Sequence, residues 1–272
     1  MKKERYSVCI IIIILSLIFS NCASAPTTGS GQPYPSDTAF YPAVYGAFKD
    51  LFPNARYQNI NFYNDIYTFT GITGLALTTP ISYDLTVRLT NNNQIEFSWD
   101  NLYQRDANGR WSSAKAFGFY NYDSIINTLK TKMLEIANNP SLYQQRERAA
   151  MADIKFVHAI MNDLTDLAFR DFIDNYARGS IFNVTGLIQD VTEANRTING
   201  VTYSYLITVN QSFIDPTDAF FSAALADVRC SFYTNQDNVI RLNRRDEQTV
   251  QGILINASRT ISGLSLQLVN PN

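Results

Sequence analysis

Between residues 81 and 99 hydrophobic and polar positions alternate almost without interruption. Ile81, Tyr83, Leu85, Val87 and Leu89 share one side, and Ser82, Asp84, Thr86, Arg88 and Thr90 the other. A period of two marks a strand with one buried and one wet face. Asn91-Asn92-Asn93 follows as a turn, and Ile95, Phe97 and Trp99 then alternate with Gln94, Glu96 and Ser98. The pattern predicts a hairpin. Asn59 to Thr70 supplies one or two further strands, Asp106 to Gly109 a turn, and Trp111 to Phe119 another strand. Helical periodicity flanks these strands. Phe40, Val44, Phe48 and Leu51 form a stripe over Asp37–Leu51, with Ser36 or Asp37 as the cap and Pro53-Asn54 as the stop. Ile125, Leu129, Met133 and Ile136 form another over Tyr122–Asn138, broken by Asn139-Pro140. The expectation for residues 37–140 is therefore an α+β domain with an antiparallel sheet.

The stripe Ile154, Val157, Met161, Leu164, Ala168 and Phe172 predicts a long connecting helix over residues 141–178, with Gly179 as its stop. Strand patterns return in residues 179–272. They cover Ser180 to Val191 with Gly186 at the middle, Val201 to Val209, Val228 to Tyr233, Thr249 to Asn256 with Gly252, and Leu264 to Leu268. Glycine permits the sharp coiling and close approach that a small barrel demands. The stretch Pro216 to Asp227 is Ala-rich and reads as a helical turn or a lid.

The first residues read as an address. Lys2, Lys3 and Arg5 precede an apolar run from Ser7 to Phe19 that is too short to span a bilayer as a helix and fits a secretory signal. Phe19-Ser20-Asn21-Cys22 resembles the lipobox of bacterial lipoproteins, with Asn21 where Gly or Ala is usual. The resemblance implies that residues 1–21 are a lipoprotein signal peptide and that Cys22 is lipidated. Two or three acyl chains on one residue hold firmly where a single chain does not. An ordinary signal peptide cleaved near Ala23-Ser24-Ala25 is the alternative. Residues 22–36, rich in Pro, Thr, Gly and Ser, read as a flexible tether. Ala23 after the cysteine implies, by analogy with the enterobacterial sorting rule, the periplasmic face of the outer membrane or the cell surface.

Two further resemblances concern the folded part. The helix with a tyrosine near its start, followed by the hairpin Ser82-Tyr-Asp-Leu-Thr-Val-Arg-Leu-Thr and Gln94-Ile-Glu-Phe, resembles an uncharacterised family of exported bacterial domains with a TATA-binding-protein-like fold. That family carries no established catalytic residues. Residues 179–272, with glycine-centred strands near the start and near the end, resemble the five-stranded OB-fold barrel of the tRNA-anticodon-like family.

Composition narrows the function classes. The 272 residues include one His and three Cys, which excludes a disulfide scaffold and nearly every His/Cys metal site. Removing residues 1–21 takes away three basic residues, one acidic residue and Cys9, moving the formal charge from −2 to −4. Cys230 is then unpaired in an exported protein and is expected to be buried and inert. P-loops, nucleophile elbows, dinucleotide fingerprints and paired CxxC are absent from the sequence. His158 stands alone on the predicted long helix. Asp163, Asp166, Asp171 and Asp174, interspersed with Arg170 and Arg178, read as a solvated face; a carboxylate-dependent hydrolase using Asp163 and Asp166 is a remote alternative. The expectation is a non-enzymatic protein without cofactor or metal.

OB-folds bind oligonucleotides and oligosaccharides across their second and third strands. Candidate ligand residues on those strands are Arg229, Tyr233, Tyr203 and Tyr205, with Tyr233 expected to face outward alongside Arg229 and Ser231. Ordinary sheet roles for these tyrosines are the bland alternative. Six arginines against eight carboxylates in residues 179–272 disfavour nucleic acid. A glycan, a small ligand or an envelope protein is the better match. The overall expectation is a lipid-anchored binding or assembly module, with glycan or small-ligand reception as the alternative.

Overall fold

The computed structural model describes residues 31–114, 121–162, 164–213, 227–260 and 263–271. The expected signal peptide, Cys22, Asp163, nearly all of Pro216–Asp227 and the end of the strand expected to reach Phe119 lie outside the described residues. Two compact units are present: one holds residues up to Gln58 and Asn64–Asn138, the other Asn59–Tyr63 and Asn139–Asn272. The fold class is mixed α+β, with one five-stranded sheet in each unit.

In the first unit helix α1 spans Tyr41–Leu51 and is followed by strands β1 (Arg56–Asn61, of which Arg56–Gln58 fall in this unit), β2 (Ile66–Ala76), β3 (Thr79–Leu89), β4 (Ile95–Arg105) and β5 (Trp111–Ser113). Helix α2, Tyr122–Asn138, closes the unit. The strands pair in chain order, β1-β2-β3-β4-β5. The predicted hairpin is present, and Ile81, Tyr83, Leu85, Val87, Ile95 and Phe97 are buried along it. Its turn is set by Asn93, whose φ of 56° suits asparagine and whose N–H donates to the Thr90 carbonyl. The helices cover this apolar face. Phe48 of α1 stacks on Phe69 of β2 at 3.7 Å between ring centroids, and Tyr122 of α2 meets Tyr83 and Trp99 edge-on.

Three local expectations for this unit are corrected. The first helix starts at Tyr41, not Asp37: no side chain caps it, and Pro42 occupies its first turn, where a missing N–H costs nothing. The stripe of α2 is Ile126, Leu129, Met133 and Ile136, with Ile125 only half-buried. The free spacer ends before residue 36. Tyr34 is buried against Phe40, its N–H donates to the Asn93 carbonyl, and its hydroxyl donates to the Ala39 carbonyl.

The second unit opens with helices where one long helix was expected. They are α3 (Pro140–Ala152), α4 (Ile154–Asn162) and α5 (Asp166–Phe172), the last continued by a π-helical turn at Ile173–Ala177. The first break lies at Asp153, which is extended (φ −83°, ψ 92°) and bridges to Asn183. Its carboxylate then accepts the N–H groups of Lys155 and Phe156, starting α4 anew. Before α5, Thr165 takes an extended conformation and caps the Ala168 N–H. Most of the predicted stripe still faces the core: Ile154, Val157, Met161, Leu164 and Phe172 are buried, while Ala168 is only half-buried and Phe169 is buried beside it.

Strands β6 (Ile181–Ile198), β7 (Val201–Gln211), β8 (Val228–Thr234), β9 (Glu247–Thr260) and β10 (Gly263–Val269) follow. They form a closed barrel in the order β10-β8-β7-β6-β9, antiparallel except for the β8–β10 pair. Phe182, Val184, Ile207, Val209, Cys230, Leu254, Leu266 and Leu268 supply its buried residues. Glycine is required at two crossings. A Cβ on Gly186 would stand 2.2 Å from the Asn210 carbonyl oxygen, and one on Gly252 would stand 2.8 Å from Leu268 Cβ. No described helix is long and apolar enough to cross a membrane.

Candidate functional site

Strands β7, β8 and β10 position the residues singled out from the sequence. Val209, Cys230 and Leu266 stand opposite one another and are buried, as do Ile207, Phe232 and Leu268. The residues between them therefore point to the barrel's outer side. Three rows result: Asn210–Arg229–Ser265, Thr208–Ser231–Gln267, and Leu206–Tyr233–Val269.

The third row does not remain open, and the outward-facing reading of Tyr233 is corrected. Tyr233 is 5% exposed and Tyr203 3%. With Val269 they form a second small core, and Ala194, Ile198, Val201, Leu206, Ile253 and Ile255 pack against it. Strand β6 is long enough for this because it runs past the barrel as a hairpin with β7. Register shifts between Ile188 and Asp190, and between Glu193 and Arg196, mark bulges that bend it. Arg196 donates from Nη1 to the Tyr233 hydroxyl at 2.7 Å, and its guanidinium lies 5.3 Å from the ring centroid. Tyr203 and Tyr233 are thus packing residues. Tyr205, opposite Thr234, is half-buried on the other side of β7 from Leu206. Of the four candidates only Arg229 is exposed.

What stays open on this face is neutral and polar around one arginine. Asn210 and Ser265 flank Arg229 directly, and Ser231 and Gln267 lie in the next row. Asn210 Oδ1 and Gln211 Oε1 are buried acceptors, and among the described residues no donor meets either. Such acceptors carry an unmet desolvation cost, but both are sealed from solvent, so the group this face offers a ligand is the exposed Arg229. Sequence reading missed Asn210, Ser265 and Gln267, because only the cross-strand register brings them beside Arg229.

The remaining chemistry-bearing residues have other engagements. Asp166 pairs with Arg259 at 2.8 Å, Asp171 accepts from Tyr63 and from Asn175, and Asp174 pairs with Arg178 at 2.7 Å. Each carboxylate is held by its own partners. His158 packs edge-on against Phe213, and burial lowers its pKa against the opposing pull of Asp227. Cys230 is free and buried, and burial pushes its thiol far up, which makes it a poor nucleophile. Among the described residues no group of three or more His, Cys, Asp or Glu side chains is placed to hold a metal ion.

One half-buried carboxyl in the first unit was not singled out. Asp65 sits at the turn into β2 with φ 49°. Burial pushes its carboxyl up to about 6, with a hydrogen bond from Tyr67 pulling the other way. Burial and the charge of Asp65, then the neighbouring Tyr41 and Tyr34, push the Tyr67 phenol well above its usual range. Nothing in the local sequence Asn64-Asp65-Ile66 signals this, since the aromatic surroundings come from α1 and from the segment before it.

Compared with known proteins, the chain matches no protein-family model and no curated protein sequence.

Proposed function

We propose that this chain is a non-catalytic, lipid-anchored protein of a bacterial cell envelope, whose two folded units serve as binding or assembly modules. The observation that carries this reading is the cationic start, the short apolar run and Cys22 at its end, followed by a Pro/Gly/Ser-rich spacer. The tether leads directly into the first unit at Tyr34, as expected of a spacer that holds a domain off a membrane. The second unit is read as an OB-fold. The closed five-strand order, the coiled first strand and the parallel β8–β10 pair support that assignment. The first unit is read as the TATA-binding-protein-like domain, supported by two helices on one face of an antiparallel sheet. Neither fold selects a ligand by itself, because function resides in sites.

A second reading is favoured by one specific feature, the open polar rows around Arg229. It makes the barrel face a receptor for a neutral glycan or small polar ligand, with Arg229 as the hydrogen-bond donor.

Anchoring has a direct consequence in cell fractions. Membranes washed in concentrated salt retain the protein, and detergent releases it. Recovery of unmodified protein from the medium without detergent overturns the reading. For the barrel face, Arg229→Ala abolishes binding of a neutral oligosaccharide with the thermal transition unchanged; equal binding by wild type and variant removes that face as the site.

A further inference from the structure

We propose that one end of the first sheet, the end carrying the β2–β3 and β4–β5 turns, docks on the surface of an anionic phospholipid bilayer. The inference deepens the anchoring reading and rests on it for reach. Four large apolar residues gather there and stand exposed: Leu75 at 61%, Leu77 at 71%, Tyr103 at 41% and Trp111 at 46%. They are not scattered. Leu75 is opposite Pro80, Trp111 is opposite Arg105, and Tyr103 lies between Ser82 and Ser113. The Ile81–Gln104 pair places Pro80 beside Arg105. Ala76, Ile81 and Leu102 are buried towards the helices, so their exposed neighbours Leu75, Pro80 and Tyr103 share the opposite face. Leu77 extends this strip beyond the strand ends, at the turn, with φ 55°. A leucine held in the left-handed region and turned into solvent stabilises nothing within the unit.

The chemistry of the strip selects lipid. Trp and Tyr place an apolar body and a polar edge at the depth of headgroups, and arginine keeps its charge at the same level while its stem lies along apolar surface. Arg105 and Arg110 supply the charge. The Arg105 guanidinium lies 6.0 Å from the Trp111 ring centroid, and its Nε donates to the Gly109 carbonyl. The nearby carboxylate of Asp106 is occupied within the turn, accepting the N–H groups of Asn108 and Arg110. Further along the face Asp84 stands opposite Asp100, which confines docking on an anionic surface to the tip.

Reach is the geometric check. Tyr34 joins the unit beside Asn93, at the β3–β4 turn, and so at the end of the sheet opposite the apolar tip. An 11-residue strand is about 34 Å long. The twelve peptide steps from Cys22 to Tyr34 span about 40 Å when extended. The anchor and the tip therefore reach the same bilayer, with the tether drawn out.

The test uses the full acylated chain with Trp99→Phe, which leaves Trp111 as its one tryptophan. Phenylalanine keeps the aromatic contact that Trp99 makes with Tyr122. The protein is reconstituted in vesicles of phosphatidylethanolamine and phosphatidylglycerol in equal parts, with or without brominated acyl chains, and floated. Docking predicts a blue-shifted Trp111 emission that brominated lipid quenches. Leu75→Ser with Leu77→Ser, both at exposed positions, lowers that quenching several-fold without reducing flotation. A chain that floats while Trp111 stays unquenched overturns the docking and leaves the anchor intact, the outcome expected if a protein covers the tip. A chain that fails to float overturns the anchor, and the docking with it.

Discussion

Gly186→Ala unfolds the barrel or leaves it severely destabilised. The added methyl would lie 2.2 Å from the Asn210 carbonyl oxygen and 2.6 Å from its carbon. Both are backbone atoms of β7, so no rotamer change relieves the clash; the β6 and β7 backbones must separate. Leu187 pairs with Asn210 immediately beside this point, and Ile188 with Val209, so the displacement reaches the pairing that starts the barrel. Overpacking costs about 1–3 kcal/mol where side chains can adjust. Here they cannot, and the expected loss is about 3 kcal/mol or more, a large part of a domain's stability. Amide exchange separates the units: peptides from β6 to β10 lose protection. Trp99 and Trp111 both belong to the first unit, so tryptophan emission reports that unit alone. Native-like protection of the barrel peptides in Gly186→Ala would refute the close-approach argument.

Asp65→Asn stabilises the first unit at neutral pH and removes a pH dependence. The folded carboxyl titrates at about 6, above its ordinary 3.8. Between those values the folded state binds the extra proton, so the contribution of Asp65 to stability is fully present below about pH 4 and is lost as pH rises through about 6. A shift of about two units corresponds to roughly 3 kcal/mol. Asparagine removes the charge, keeps an oxygen for the Tyr67 hydroxyl and tolerates the positive φ. The stability gap between variant and wild type, read from urea transitions by tryptophan emission, therefore widens between about pH 4 and pH 8 by on the order of 2–3 kcal/mol. A gap that is constant over this range would show that Asp65 is not held protonated by burial.

What was legible in the sequence was local. The alternation from Ile81 to Trp99 placed a hairpin with its inward residues correct, because a period of two needs no knowledge of the partner strand. The end of α2 follows likewise from Asn139-Pro140. The three-helix run was not legible. A 3.6-residue stripe survives a short break, so residues 141–178 looked continuous although Asp153 and Thr165 each restart the helix. Tyr233 shows the deeper limit. Its outward parity on β8 was read correctly, but an outward residue is exposed only if nothing covers it. The cover comes from Ala194, Ile198 and Val201, carried over by bulges in β6 that depend on pairings far along the chain. The barrel face was in this sense half-readable: Arg229 stood out by type, and its neighbours Asn210 and Ser265 only by register. The exposed strip at Leu75, Leu77, Tyr103 and Trp111 was equally invisible, being assembled from two turns about 30 residues apart.

Anchoring depends on Cys22, and acyl labelling reads its modification. Wild type and Cys22→Ala are grown with a clickable fatty acid, and label and membrane partitioning are measured on the full-length chain. Wild type is expected to carry label and to partition with membranes, whereas Cys22→Ala carries no label and no longer shows the stable association of the acylated chain. Equal label and equal partitioning in the two proteins would contradict anchoring through Cys22.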